Sequence, residues 1–379
     1  LFITYGFYNA FVHPLRQYPG PLLWRCYRFP YVIAIQRGIL HKRLKDFHVK
    51  YGPIVRIAPD ELSYADGRAW KDIYANRPGH LPFERNPIWF QKMKPDEPNS
   101  IMGPNEADHA RYRRAFANSF SERHLKEQAP VVESYVDFFI AKLKEPINGR
   151  QWQEKIVNLK EWFHYLLFDI SGDLTYGESF NCLKNGKAHW WVEVAEEFGK
   201  GLAMIASVNH YKPLNKYLRY IIPKRILKRS MDHRVMSSEK AQQRVAMDLE
   251  RPDWVTPAKQ FDDHKGTSGG PLTGPEWGIN LLIVAFAASE TTASTLTGII
   301  RELVQHRGVL HRLTREIREA FENESDITIA STKNLPYLEA VINEGFRLDP
   351  TVAIGIPRVV PKGGEMVCER YVPGGVSSS

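Results

Sequence analysis

The sequence predicts a mostly helical fold with small β-sheets, an α+β architecture. Three observations lead there. Residues 273–306 keep apolar side chains at helical spacing, through Leu281, Leu282, Val284, Phe286, Leu296, Ile299, Ile300, Leu303 and Val304, and would form one helix roughly 50 Å long. Several other segments, among them 131–144, 159–174 and 309–321, repeat the same period. Strand-like alternation is confined to short runs at 54–58, 61–64 and 353–360.

The chain opens on an apolar, aromatic stretch, 1–12. It is too short to cross a bilayer, which takes about 20 residues, and is expected to be the end of a longer membrane anchor. His13-Pro14-Leu15-Arg16 and Tyr18-Pro19-Gly20-Pro21 follow. Prolines so close together fix the backbone and predict a stiff hinge. The expected division is therefore anchor and hinge over 1–21 and a body over 22–379.

Within the body, 37–51 reads as a helix with Leu40, Leu44 and Phe47 on one side, stopped by Gly52-Pro53. The strands 54–58 and 61–64 predict a hairpin turning at Pro59-Asp60, and 66–75 a short helix. Residues 76–99 are rich in proline, charge and aromatics and read as a long loop, a length often tied to function. A helix over 105–120 places His109 and Arg113 one turn apart on a shared face. Such a pair can grip a carboxylate or phosphate; the alternative, favoured by these residues alone, is a solvated basic face. In 159–174, Trp162, Phe163, Tyr165 and Phe168 read as core. Helices are expected over 192–204 and 224–247, a loop over 210–223, and a Gly-, Asp- and Ser-rich surface loop over 260–271.

The long helix has a defined start, because Thr273 and Glu276 form a capping box with Pro275 in the first turn. Its middle reads Ala287-Ala288-Ser289-Glu290-Thr291-Thr292. An acid and hydroxyls interrupt an apolar helix there, and a threonine hydroxyl can bond back to the carbonyl one turn earlier. Either these polar groups face water on an ordinary core helix, or the helix lines a buried site. In the second case acid and hydroxyl manage protons and the alanines make room for a flat cofactor. Farther on, a helix over 334–350 carries Glu344 and Arg347 on one face, which alone signifies only a surface ion pair. Residues 353–360 read as a strand bearing Arg358, and 371–375 as a turn.

Composition narrows the partners. At 379 residues, 43% hydrophobic and 25% charged, the chain is an ordinary globular protein with a net charge of +8. Zinc-finger spacing and RNA-binding aromatic motifs are missing from the sequence, so nucleic acid is not indicated. A membrane surface or an acidic redox partner suits the basic balance. The three cysteines, Cys26, Cys182 and Cys368, are far apart, which argues against a disulfide framework and for a reducing compartment.

Taken together, these motifs resemble a microsomal cytochrome P450, a haem-thiolate monooxygenase of the kind common in fungi. Ala287-Ala288-Ser289-Glu290-Thr291-Thr292 is similar to the family's oxygen-activating helix, with Ala288 where glycine is usual. Glu344-Gly345-Phe346-Arg347 resembles its Glu-x-x-Arg, Ile356-Pro357-Arg358 its propionate-binding strand, and His109 to Arg113 its propionate-contacting helix. The family's Phe-x-x-Gly-x-x-x-Cys-x-Gly loop is absent, and Cys368, within Met366-Val367-Cys368-Glu369-Arg370, does not match it. Relative to that family the chain is expected to be cut short at both ends.

The resemblance implies a haem held by a cysteine thiolate that these residues do not supply, and electrons from NADPH through a cytochrome reductase. Glu290 would relay protons, Thr291 would hydrogen-bond dioxygen, and Ala287 and Ala288 would leave room above the haem. His109, Arg113 and Arg358 would pair with the propionates. Glu344 and Arg347 would form a buried structural pair. A small hydrophobic substrate of secondary metabolism and an endoplasmic reticulum membrane location facing the cytosol are also implied. The chain as it stands would be inactive for want of the thiolate. The alternative is a non-catalytic, membrane-tethered remnant that binds apolar ligands or a partner.

Overall fold

The computed structural model describes residues 1–89, 92, 97–103, 105–145, 156–213, 215–218, 224–264 and 270–379. Helices run over α1 (Phe2–Phe11), α2 (Leu22–Cys26), α3 (Phe29–Gln36), α4 (Leu40–Tyr51), α5 (Arg68–Tyr74), α6 (Glu106–Ala117), α7 (Glu122–Lys144) and α8 (Leu159–Tyr176). They continue with α9 (Cys182–Asn185), α10 (Trp190–Asn209), α11 (Asn215–Leu218), α12 (Lys224–Ala246), α13 (Val255–His264), α14 (Gly274–Gln305), α15 (Arg307–Ala320) and α16 (Pro336–Leu348). Strands are β1 (Ile54–Ala58), β2 (Glu61–Tyr64), β3 (Glu84–Arg85), β4 (Arg358–Val359), β5 (Glu365–Val367), β6 (Arg370–Val372) and β7 (Ser377–Ser378). The α+β class expected from the sequence is the one observed. The chain forms two compact units, the first Leu1–Glu106, Phe198–Lys224 and Ala353–Ser379, the second Ala107–Glu197 and Arg225–Val352.

In the first unit, a sheet of order β1-β2-β7-β4-β3 joins the two ends of the sequence. The β1–β2 hairpin is antiparallel, with Ile54 opposite Tyr64. β7 lies parallel to β2, with Glu61 opposite Ser377, and β4 runs antiparallel to both β7 and β3. β5 and β6 form a separate hairpin. Leu15, Tyr18, Ile54, Leu62, Val360 and Val367 meet in one core beneath them. The proline-rich segment is packed into this unit: Pro14–Gln17 makes a single 3₁₀ turn, with Leu15 and Tyr18 essentially inaccessible. The Arg56 N–H donates to the Pro19 carbonyl at 2.7 Å, and the buried Arg56 guanidinium donates to the Asn9 carbonyl at 2.8 Å, tying α1 to the sheet. Burial pushes Arg56 down to about 10.

Several expected boundaries shift. The strand expected over 353–360 shrinks to Arg358–Val359, because Pro357 and Pro361 flank it without N–H groups to pair. The loop over 76–99 contains β3, which finds its partner only in β4. The loop expected over 210–223 holds α11, and α13 extends into the loop expected over 260–271; residues 214, 219–223 and 265–269 lie outside the described residues. Tyr371 and Val372 belong to β6, so the turn begins at Pro373.

The second unit is built on α14, an unbroken helix of 32 residues that packs most extensively against α8. Leu281, Ala285, Ser289 and Ala293 make its buried row, one residue per helical turn. α14 is long and apolar enough to cross a membrane, but that buried row packs it as a core helix of the unit. Glycines let neighbouring helices close on it. A Cβ at Gly345 would sit 2.4 Å from Ile299 Cγ1, and one at Gly298 would sit 2.6 Å from Asp349 Oδ2. Only glycine allows α16 to approach so near.

The start of α14 is fixed as the capping box predicts, the Thr273 N–H donating to Glu276 Oε2 at 2.8 Å. Glu276 also accepts the Arg111 guanidinium and, at 2.8 Å, the Tyr112 hydroxyl, both from α6. Phe116 meets Trp277 edge-on beside them, ring centroids 5.5 Å apart. Burial alone would raise the Glu276 carboxyl, but Arg111, the Thr273 N–H and the Tyr112 hydroxyl together hold it down at about 2. Glu276→Ala leaves Arg111 without its buried counter-charge and should cost about 3 kcal/mol; denaturant unfolding at neutral pH checks this. A carboxyl whose folded value is depressed stabilises the fold above its ordinary value and loses that contribution as pH falls through the depressed one. The stability gap between the wild type and Glu276→Gln should thus be full above pH 4.5 and shrink toward pH 2.

Candidate functional site

The candidate site is a run of polar side chains in the middle of α14, where the helix cannot satisfy them all internally. The Ser289 hydroxyl donates to the Ala285 carbonyl at 2.8 Å, and that of Thr291 to the Ala287 carbonyl at 2.7 Å. Thr295 donates to the Thr291 carbonyl at 2.9 Å and meets the Thr351 hydroxyl at 2.7 Å. Back-bonding of this kind is what lets serine and threonine sit inside a helix. It commits the Thr291 hydrogen and leaves the oxygen's lone pairs to accept. Ala287 is exposed, Ala288 and Thr291 are half-buried, and Thr292 is exposed, so this stretch presents methyl groups and two hydroxyls.

Glu290 points elsewhere. Its side chain is 25% exposed, and both carboxylate oxygens lie 3.4 Å from the Nε2 of His164, a buried residue of α8. Its Oε2 is buried without a hydrogen bond. The sequence pairs Glu290 with Thr291 by adjacency, whereas the structure gives it a partner from a helix more than a hundred residues earlier. His164 carries no sequence signal, since a histidine among Phe163, Tyr165 and Leu166 reads as core.

The cation sites fall on both units. His109 and Arg113 stand on α6 in the second unit, His109 half-buried and Arg113 exposed. Between them Arg111 and Tyr112 point inward to Glu276, a role the sequence left unread, although Glu276 was legible as a cap. Arg358 stands on β4 in the first unit. Its guanidinium is 5.7 Å from the Tyr74 ring and 3.4 Å from the Phe83 carbonyl, while its Nε is buried without a partner. Burial lowers its pKa, with Tyr74 and Glu106 pulling the other way. It is a half-buried cation with unspent hydrogen-bonding capacity, and among the described residues no carboxylate forms an ion pair with it.

Glu344 and Arg347 do pair, with two hydrogen bonds of 2.6 Å. The expected burial is not found: the side chains are 52% and 67% exposed, because no described residue covers that face of α16. The bonds hold Glu344 below and Arg347 above their ordinary values.

Neither Cys182 nor Cys368 is set up as a thiolate. Cys182 is buried, and burial with the nearby Asp169 pushes its thiol up to about 12. Cys368 and Glu369 form the two-residue turn between β5 and β6 with φ of 48° and 62°, and the thiol, raised by burial, packs in the first unit's core. The Cys368 N–H donates to Asp72 at 2.8 Å. Cys26 ends α2, where its carbonyl accepts from Asn9 at 2.9 Å.

Residues 18–375 match the family model described as Cytochrome P450. The cytochrome P450 monooxygenase astJ of Aspergillus oryzae is 38% identical over 374 residues, covering 98% of this chain and 73% of that protein. A versicolorin B desaturase of Aspergillus parasiticus is 37% identical over 368 residues, 97% of this chain and 72% of the relative. A trichothecene C-15 hydroxylase of Fusarium sporotrichioides is 36% identical over 368 residues, 97% of this chain and 73% of the relative.

Exposed ion pairs are screened by water and salt and add little to stability. Glu344→Gln and Arg347→Gln should each move the thermal midpoint of this chain by no more than about 1 °C, read by circular dichroism. A shift as large as that of Glu276→Ala would show that the pair is covered in solution.

Proposed function

The chain belongs to the cytochrome P450 family and is an oxidoreductase of the monooxygenase kind; from that premise we propose that it oxidises a small hydrophobic molecule, with dioxygen as oxidant and electrons delivered from NADPH through a reductase. The observation that carries this reading is the Thr291 hydroxyl turned back to the Ala287 carbonyl at the centre of α14, with Glu290 next to it in sequence and held against His164. The names of two relatives, a versicolorin B desaturase and a trichothecene hydroxylase, support a small-molecule substrate.

The family's cofactor is haem, and each unit, taken by itself, carries residues whose chemistry suits such a group. Arg358, with its buried and unpartnered Nε, has hydrogen-bonding capacity for a propionate carboxylate. His109 and Arg113, one turn apart on α6, suit the same kind of group. Ala287 and Ala288 offer only methyl groups to a flat ring. The iron ligand is another matter, because Cys182 and Cys368 are buried thiols with raised pKa values and Cys26 lacks the family's ligand-loop context. When bound, haem supplies the oxidative chemistry, and the protein supplies site, orientation and protons.

On this reading the chain's own residues divide the work. Thr291 Oγ1, its hydrogen committed to Ala287, accepts a hydrogen bond at the reaction centre and fixes its geometry. Glu290, partly open to water, holds the exchangeable proton and returns it from solvent. Ala287 and Ala288 keep the wall free of groups that would compete for either. The exposed apolar side chains of α1, including Phe2, Ile3, Phe7 and Phe11, favour a membrane surface, in keeping with an endoplasmic reticulum location facing the cytosol.

Two measurements test the proposal. In enzyme carrying the ligand loop, Thr291→Ala should cut product formed per NADPH consumed by about tenfold while haem content stays unchanged, and unaltered coupling would remove the role given to Thr291. The 379 residues alone should give no thiolate-type carbon-monoxide difference spectrum; a normal one would mean that one of the three cysteines ligates iron after all.

A further inference from the structure

The environment of His164 constrains its protons. The residue lies in α8, its side chain 3% exposed among Phe163, Tyr165 and Leu166. Its Nδ1 is 2.7 Å from the Lys160 carbonyl oxygen, one turn earlier on the same helix. A carbonyl oxygen can only accept, so Nδ1 carries a hydrogen. Nε2 faces across to α14, where it is 3.4 Å from both Glu290 carboxylate oxygens. With Nδ1 protonated, a neutral ring would turn the Nε2 lone pair toward two carboxylate oxygens that also bear only lone pairs. In a site this buried, an opposed set of acceptors is costly. One additional proton removes the conflict. It sits either on Nε2, giving imidazolium and carboxylate, or on Glu290, giving neutral imidazole and carboxylic acid.

We infer that His164 and Glu290 form a one-proton pair bridging α8 and α14, and that His164 is the positioning residue that keeps a transferable proton at the Glu290 carboxyl beside Thr291. The two forms differ only by movement of that proton between Nε2 and a carboxylate oxygen, so no oxidant or other reagent is needed. The closed side of the pair is the α8 core. The open side is the exposed edge of Glu290, through which water replaces the proton after it is passed on. Glu290 Oε2, buried and without a hydrogen bond, is the position such a proton would occupy in the carboxylic acid form. The inference deepens the proposed function, on which it rests for the role of Glu290. It adds a residue from a separate helix.

The proton count can be read on the 379-residue chain itself, without haem. Nitrogen-15 NMR of the histidine side chains near neutral pH, with His164→Gln to assign the signal, should show one of two signatures. Either both His164 ring nitrogens are protonated, or the ring is the neutral Nδ1–H form and infrared difference spectra against Glu290→Gln show a carboxylic acid stretch. Glu290→Gln should in addition convert an imidazolium signal to that of a neutral ring, and circular dichroism confirms that both variants fold. A ring with a single proton opposite an ionised Glu290 overturns the inference. In haem-loaded enzyme carrying the ligand loop, His164→Gln should lower product per NADPH by about tenfold at unchanged haem content; unchanged coupling also overturns it. Failure of Thr291→Ala to uncouple, with the proton count intact, would instead sink the reading of the site on which the inference rests.

Discussion

A helix of 32 residues holds its place in a protein through what it packs on, and for α14 that is α8. A buried row of α14 is made of one leucine and three small residues, Leu281, Ala285, Ser289 and Ala293. Small side chains bring two backbones close, and close backbones leave no slack for either helix to rotate. The same economy recurs on another face of α14, where Gly298 and Gly345 let α16 and the residues after it approach. The orientation of every polar group at the centre of α14 is therefore set by packing that contains hardly any polar atoms. Ser289, fully buried, returns its hydroxyl to its own helix, while Glu290 and Thr291 are turned to different sides by the helical rotation between them.

The polar groups admitted to this seam are few, and nearly all are answered. Hydroxyls are answered by carbonyls one turn back, Glu276 by the helix start and by α6, and the His164 ring by Lys160 on one side and Glu290 on the other. The exceptions are informative. Among the described residues, Glu290 Oε2 and Thr175 Oγ1 of α8 are buried atoms of the second unit without hydrogen bonds, and Arg358 Nε is one of the first unit; Glu290 and Arg358 are residues that the family resemblance assigns to the site. Buried unsatisfied polar atoms are uncommon in folded proteins and call for a reason; an anion to bind and a proton to hold are sufficient ones.

The first unit shows a different constraint. Its sheet is assembled from segments near 54–64, 84–85 and 358–378, so the strand that carries Arg358 is held between β7, its near neighbour in sequence, and the distant β3. Prolines on either side confine β4 to two residues, which fixes Arg358 in register opposite Arg85 and Ser378. Pairs of residues nearly three hundred positions apart hold this cation in place, and the first turns of the chain are tied in by the buried Arg56.

What the sequence by itself determined was whatever depends on near neighbours. The capping box at Thr273, the extent of α14, the back-bonded Thr291, the hairpin at Pro59-Asp60 and the pairing of Glu344 with Arg347 are all set within four residues or by a simple period, and the motifs with their order were sufficient to suggest the family. The tertiary structure decided what distance in the chain conceals. It left Glu344 and Arg347 exposed, because burial depends on what covers a helix face and not on the spacing of its residues. It packed the proline-rich segment into a core, because fixed backbone dihedrals say nothing of what Leu15 and Tyr18 will touch. It placed Cys368 in a tight turn, and it gave Arg111 to Glu276 and His164 to Glu290. An ion pair or shared proton between separate helices has no period and no local pattern, so only the packed chain can show it.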